Sequence, residues 1–193
     1  MKKIMILILS LLPVSSYSQD SLLVMFWNVE NFFDYIDDGT GESDKEFSSY
    51  GSRRWTKKKF QKKCDDIAKS VFWTGERYGR IPDVIGLAEV ESRGVLWNLL
   101  NNTLLRKCGY RIVHYESGDR RGIDVALLYR ESSFRILSQS TVTPSLDGKK
   151  MATRDILQVC LEDDMGQKYN LIVIHHPSKY GGADASMGRR YAA

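Results

Sequence analysis

Apolar and polar positions alternate along the chain in patterns that predict its elements. Residues 22–26, LLVMF, are read as a strand that stops at Asn28 and Glu30, where polar groups are set at the end of a buried element. A second run, 83–91 (DVIGLAEVE), predicts a strand covered on both faces, with the carboxylate of Glu89 at its C-terminal end. Between them Thr56 is placed to cap a helix. Its Phe60, Cys64, Ile67, Ala68, Val71 and Phe72 recur at helical spacing, and Lys57, Lys58, Lys59, Lys62 and Lys63 fall opposite. Ser92 can cap a second helix carrying Val95, Leu96, Leu99, Leu100, Leu104 and Leu105, closed by Gly109. From Tyr110 the texture becomes short strands at 110–115, 123–129, 134–142, 156–161 and 168–175, the last two joined by a hairpin turn at 163–166, DDMG. Strand, helix, strand, helix and then hairpins predict an α/β (α+β) fold with a mixed sheet. The stretch 35–52, rich in Asp, Gly and Ser and without periodicity, is expected to be a surface loop near the site with freedom to move.

At 193 residues with 42% hydrophobic content, the chain has room for one domain or a little more around a real core. Residues 1–18 read differently. Lys2 and Lys3 form a basic start, the apolar run 4–12 is too short to span a bilayer, and Ser16-Tyr17-Ser18 is a small-x-small cleavage signal. A signal peptide over 1–18 and an incomplete domain over 19–193 are expected, with export to the periplasm or medium and no membrane span after cleavage; a retained anchor is the alternative. The formal net charge of +4 falls by two with the loss of Lys2 and Lys3, so charge alone is a weak argument for nucleic acid. The lysine-rich helix face suits phosphate but equally suits solvent. Cys64, Cys108 and Cys160 allow at most one internal bridge; without metal-site spacing, they read more simply as small hydrophobes.

Four groups fall at predicted strand ends or beside them: Asn28 with Glu30, Glu89 with Glu91, the run 119–124 (DRRGID), and His175-His176-Pro177-Ser178. Oxygen ligands without a Cys/His cluster point to Mg2+, Mn2+ or Ca2+ rather than zinc. A histidine beside such an ion suits proton transfer or a hydrogen bond to a phosphoryl oxygen. Arg120, Arg121 and Arg154 add the forked donors that phosphate accepts.

WNVENFFD (27–34), GLAEVE (86–91), DRRGIDVALLY (119–129), TRDIL (153–157) and HHPSKYGG (175–182) resemble, in order, the successive motifs of the endonuclease/exonuclease/phosphatase family, which includes deoxyribonuclease I and exonuclease III. The resemblance implies a four-layered α/β sandwich, two mixed sheets face to face with helices outside, and metal-dependent cleavage of phosphate esters by in-line attack of water. It implies metal binding by Asn28 and Glu89 and a phosphate contact from His175, whose competitor is His176. Asp124 is carried over as a further catalytic candidate, or else as a buried carboxylate paired with Arg121 or Arg154; Arg154 and Arg121 are carried over as substrate-binding. Ala88 stands where the family usually has Gln.

The family's later Gly-Asp-x-Asn and Ser-Asp-His motifs do not occur in the sequence. The expectation is therefore a domain whose second half is truncated, leaving apolar faces and strand edges open. As an enzyme it is expected to act on DNA, RNA, a lipid head group or an inositol phosphate, with no obligate protein partner. The alternative is a non-catalytic phosphate-binding module, or a phosphatase or phospholipid phosphodiesterase of the same family.

Overall fold

The structure, a computed structural model, describes residues 21–39, 41–177 and 182–192. The signal-peptide reading of residues 1–18, and Ser178 of the last motif, lie outside the described residues. The elements in order are β1 (Val24–Phe32), α1 (Lys57–Tyr78), β2 (Val84–Val90), α2 (Arg93–Asn101), a 3-10 turn (Leu104–Lys107), β3 (Tyr110–His114), β4 (Asp124–Arg130), β5 (Phe134–Val142), β6 (Ser145–Leu146), β7 (Lys149–Lys150), β8 (Ile156–Asp163), β9 (Lys168–Val173) and α3 (Ala183–Ala192).

β1, β2, β4 and β3 form one sheet in that order, with β1 and β2 parallel and the other pairings antiparallel. β5, β8 and β9 form a second, antiparallel sheet, and β6 and β7 a short hairpin. Strand alternation sorts the first sheet's side chains between two cores. Met25, Trp27, Ile85, Leu87, Ala126 and Leu128 face α1 and α2, while Val84, Ala88, Val125 and Leu127 face Leu157, Val159, Leu161 and Val173 of the second sheet. β2, central and buried along nearly its whole length, serves both cores. The fold is thus an α/β sandwich of two sheets with helices outside.

α1 forms where the apolar spacing predicts. Thr56 accepts a hydrogen bond from the Lys59 amide, Phe60, Cys64, Ile67, Ala68 and Val71 are buried, and Gly79 ends the helix at φ 72°. Cys64, Cys108 and Cys160 are free thiols, Cys64 fully buried. At the edge strands, Phe26 on the inter-sheet face of β1 is 58% exposed and Ile172 on the outer face of β9 is 60% exposed, so apolar surface is open to solvent at both edges. No helix among the described residues is long and apolar enough to cross a membrane.

Loop 35–52 is mostly exposed or half-buried, as expected of a polar surface segment, but it is pinned at several points. Phe33 stacks on Phe47 at 4.8 Å, the Trp55 indole N–H donates to the Phe33 carbonyl at 2.8 Å, and Asp44 and Ser48 are buried. Phe47 thus anchors the loop on Phe33 and Trp55, the aromatic residues that flank it in sequence.

Candidate active site

Because β1 and β2 run parallel, their C-terminal ends lie side by side, where α/β folds commonly place sites. The ladder holds to Asn28 opposite Ala88 and resumes at Phe32 opposite Val90, so three residues of β1 bulge against Glu89 alone. Glu30, Asn31 and Glu89 have φ of 56°, 56° and 63°, in the left-handed region that residues with side chains seldom occupy. Such backbone persists only when the surroundings hold it, and it concentrates at functional sites. β1 therefore continues past Asn28 to Phe32 instead of stopping near Phe26, and the break in pairing, not the end of the strand, re-aims the polar groups.

The bulge wraps the Glu89 carboxylate. Oε1 accepts from the Asn28 amide nitrogen at 3.3 Å and Oε2 from the Asn31 backbone N–H at 2.8 Å. Arg121 Nη2 stands 3.6 Å from Oε2, and His175 Nε2 3.8 Å from Oε1. Burial raises the Glu89 pKa, but the hydrogen bonds from Asn28 and Asn31 and the charges of Arg121 and His175 outweigh it, leaving the carboxyl below its usual range. Burial acts first on His175 too, pushing its pKa down together with Arg154 and Arg121, against Glu89 and Asp119. Its Nδ1 is buried without a partner.

Two loops complete the arrangement. Asp119 accepts from the Arg121 amide at 3.0 Å and from Arg154 Nη1 at 2.9 Å; Arg154 Nη2 donates to the His176 carbonyl at 2.9 Å. Arg154 thereby bolts the segment before β4 to the one after β9, which carries His175. Arg121 also donates to the Asn31 side-chain oxygen at 2.5 Å. Loop 35–52 closes over the same segment: the Glu42 amide donates to the Arg120 carbonyl at 2.8 Å, and Gly41 packs directly on the Gly122 backbone. Beneath it, Glu91 accepts the Asp34 amide at 2.8 Å, and its carboxyl is pushed up to about 9, by burial first and then by the facing carboxyl of Asp44.

Of the residues singled out from sequence, Asn28, Glu89, His175 and Arg121 converge. Arg154 is buried, tied to Asp119 rather than open to a ligand, and His176 is an exposed side chain whose carbonyl alone is used. Asp124 pairs with neither Arg121 nor Arg154. It shares the helix-facing side of β4 with Ala126 and Leu128, accepts from the Ser117 hydroxyl and, at 3.1 Å, the Ser117 amide, and lies 3.7 Å from His114 Nε2. Burial pushes Asp124 up to about 7, against Ser117's hydrogen bonds, and pushes His114 down to about 4, with Arg93 adding. Sequence reading gave no role to Asn31, nor to Asp119 within the run 119–124. Asparagine tolerates left-handed backbone better than most residues, which is a signal for Asn31; nothing local marks Asp119.

Glu89 and Asn28 fit a hard divalent cation as a sparse site. The carboxylate is held ionised, and few protein oxygens surround it, as suits an ion that keeps most of its water. Asn28 turns its nitrogen to Glu89 and its oxygen to the Glu30 amide at 2.9 Å, so joint ligation requires the side-chain amide to rotate. Beside Asn28 opens a cleft of about 440 Å3 lined by Trp27, Trp55, Lys59, Lys62 and Lys63. Lys63 is not a solvated lysine, for its ammonium donates to the Glu30 carbonyl and so braces the bulge.

Fold and site together define a two-sheet α/β sandwich with an oxygen-donor site at adjoining strand ends. The sequence model of the Endonuclease/Exonuclease/phosphatase family matches residues 23–193, and the chain belongs to that family. Among solved structures it resembles the human nocturnin catalytic domain with bound sulfate anion, with a TM-score of 0.52 and 16% identity over 83% of this chain and 52% of that one. It also matches D. rerio TDP2 complexed with single-strand DNA product (TM-score 0.48, 18% identity, 83% and 48% coverage). A further match is an endonuclease/exonuclease/phosphatase family protein from Bacteroides thetaiotaomicron (0.47, 16%, 78% and 49%). The nocturnin likeness supports the fold, and the chain spans about half the length of these structures. No curated protein gives a match.

Proposed function

We propose that this chain forms part of an exported, divalent-metal-dependent hydrolase of phosphate esters, acting on phosphodiesters such as DNA or RNA. The observation that carries this reading is the convergence of Asn28, Asn31, Arg121 and His175 on one ionised carboxylate, Glu89, in a chain of this family. Glu89 and Asn28 would hold Mg2+ or Mn2+, which when bound supplies charge to a phosphoryl oxygen. Arg121 adds a guanidinium beside the same place. His175, 3.8 Å from Glu89, can hydrogen-bond a phosphoryl oxygen or hold a proton at Nε2. Arg154 acts on His175 through the backbone, fixing the segment at the carbonyl of His176.

One observation favours a second reading, phosphate binding without turnover. Among the described residues, no third His, Cys, Asp or Glu ligand atom gathers with Glu89 and His175, so the protein ligands there are few. The deciding experiment combines magnesium and manganese titration by calorimetry with assays of double-stranded DNA and bis(4-nitrophenyl) phosphate. The hydrolase reading expects metal binding that Glu89→Gln abolishes and hydrolysis that His175→Ala lowers by about 10²–10⁴-fold. Phosphate and metal binding with no hydrolysis would select the second reading, and metal binding unchanged in Glu89→Gln would sink both. Export is tested by recovering the protein from the periplasm or medium with its N-terminus at Gln19; an intact Met1 there would contradict it.

A further inference from the structure

We propose that His114, Glu116 and Asp124 form a second metal site, for Zn2+ or a similar transition ion, on the helix side of the first sheet. One ligand atom from each of the three lies within 4.8 Å of the other two. The His114 side chain is only 2% exposed, yet its Nε2 has no hydrogen-bond partner and faces Asp124 Oδ2 at 3.7 Å. That distance is too long for a hydrogen bond. It is close to the roughly 3.4 Å that separates two ligands of one tetrahedral zinc ion with bonds of about 2.0–2.1 Å.

Asp124 is prepared for this role. Its Oδ1 takes both the hydroxyl and the amide of Ser117, which orients the carboxylate and leaves Oδ2 toward His114. Glu116, with a 70% exposed side chain, has its carboxylate 3.8 Å from Nδ1, the other ring nitrogen of His114, and must swing to the Nε2 side to close the site from solvent. One imidazole with two carboxylates suits zinc and its transition-metal neighbours, whereas Mg2+ prefers oxygen alone. The nearby cation opposes binding only in part, because Arg93 is drawn to the Ile112 carbonyl at 3.2 Å. The bound ion would join the last residue of β3 to the first of β4, at the base of the loop that carries Asp119 and Arg121. Its role would be to hold the loop that reaches Glu89, not to meet substrate.

The test uses the full chain, stripped with EDTA, incubated with zinc chloride and desalted, with metal content read by elemental analysis. About one zinc per chain is expected to remain, and Co2+ in its place should give visible ligand-field absorption. Glu116→Ala, at an exposed position that leaves the fold intact, should weaken zinc affinity about ten- to a hundredfold, the scale of losing one group at a metal site. His114→Gln should abolish retention, and Glu89→Gln should leave it unchanged. Zinc should also raise the melting temperature of the wild type more than that of Glu116→Ala. No retained zinc, equal retention in wild type and Glu116→Ala, or loss in Glu89→Gln would each overturn the proposal. If His114→Gln does not fold, Glu116→Ala decides alone.

Discussion

The Asn31 amide donates to the Glu89 carboxylate at 2.8 Å while both residues hold left-handed backbone, at φ 56° and 63°. Each strained residue thus supports the other: the bulge that forces Asn31 into this conformation also aims its N–H, and the carboxylate that receives it emerges from an equally strained strand end. Left-handed backbone costs an ordinary residue about 1–2 kcal/mol and glycine almost nothing. Asn31→Gly should therefore be less destabilising than Asn31→Ala by about 1 kcal/mol, although both lose the side-chain oxygen that receives Arg121. Urea melts of the two variants measure the difference. Equal midpoints would mean that no strain is stored at Asn31.

Where loop 35–52 crosses the Arg121 segment, Gly41 and Gly122 meet backbone to backbone. A Cβ on Gly122 would stand 2.8 Å from the Gly41 Cα, and Gly122 itself has φ 73°. Gly122→Ala thus meets both a steric and a conformational obstacle, and the loops must part to admit it. We expect destabilisation of about 1–3 kcal/mol, the cost of a strained backbone position. Proteolysis within 35–52 should accelerate as well, because the bond from the Glu42 amide to the Arg120 carbonyl is lost with the contact. An unchanged melting temperature and cleavage rate would show that the loops are not tightly docked.

Glu91 supplies a pH dependence whose sign is counter-intuitive. Its carboxyl is pushed up to about 9 in the folded chain from 4.5, so between those values the folded state keeps a proton that the unfolded state gives up. Stability contributed by this group is complete below the lower value and falls as pH rises, by at most about 1.4 kcal/mol per pH unit. Glu91→Gln removes that penalty, keeps an acceptor for the Asp34 amide and gives Asp44 a donor. The variant should melt higher than wild type near pH 8, with the gain shrinking toward about pH 4.5. A variant that melts lower at both values would mean that Glu91 is ionised and neutralised by a bound cation.

The helices and most strands were legible because burial imposes periodicity. α1 and β5 begin where apolar spacing puts them, and the DDMG hairpin turn is present, with the Gly166 amide bonded to the Asp163 carbonyl. Misses occurred where side chains compete with backbone pairing. α2 was expected to run through Leu105, but it stops at Asn101, and the Thr103 hydroxyl captures the Leu105 amide to start a 3-10 turn, leaving Gly109 to close that turn instead. The cluster Asn101-Asn102-Thr103 was the overlooked signal, since such residues hydrogen-bond locally and break helices.

For the site, the strand ends were legible and the facing of Asp124 was not. Asp124 shares parity with Ala126 and Leu128, but parity alone does not say which face of β4 meets the helices. The network behind His175 was also hidden, because Asp119, Arg154 and His176 lie on separate irregular segments, where no period relates one residue to another. Only the closed fold brings them together.

Arg154 and Asp119 carry the last prediction. Their side chains are 7% and 5% exposed and meet at 2.9 Å, so each neutralises a charge that would otherwise be stranded in the interior. Arg154→Ala leaves Asp119 buried with only the Arg121 amide and also removes the donor to the His176 carbonyl; it should cost about 3–5 kcal/mol. Asp119→Asn leaves the guanidinium charge unpaired and should cost a similar amount. Combining Arg154→Ala with Asp119→Asn removes both charges, so the double variant should be more stable than the sum of the two single losses predicts, by at least about 1 kcal/mol. Chemical denaturation of the four proteins in the cycle measures this coupling. If the losses simply add, the pair is energetically silent, and Arg154 fixes the His175 segment through the His176 carbonyl alone.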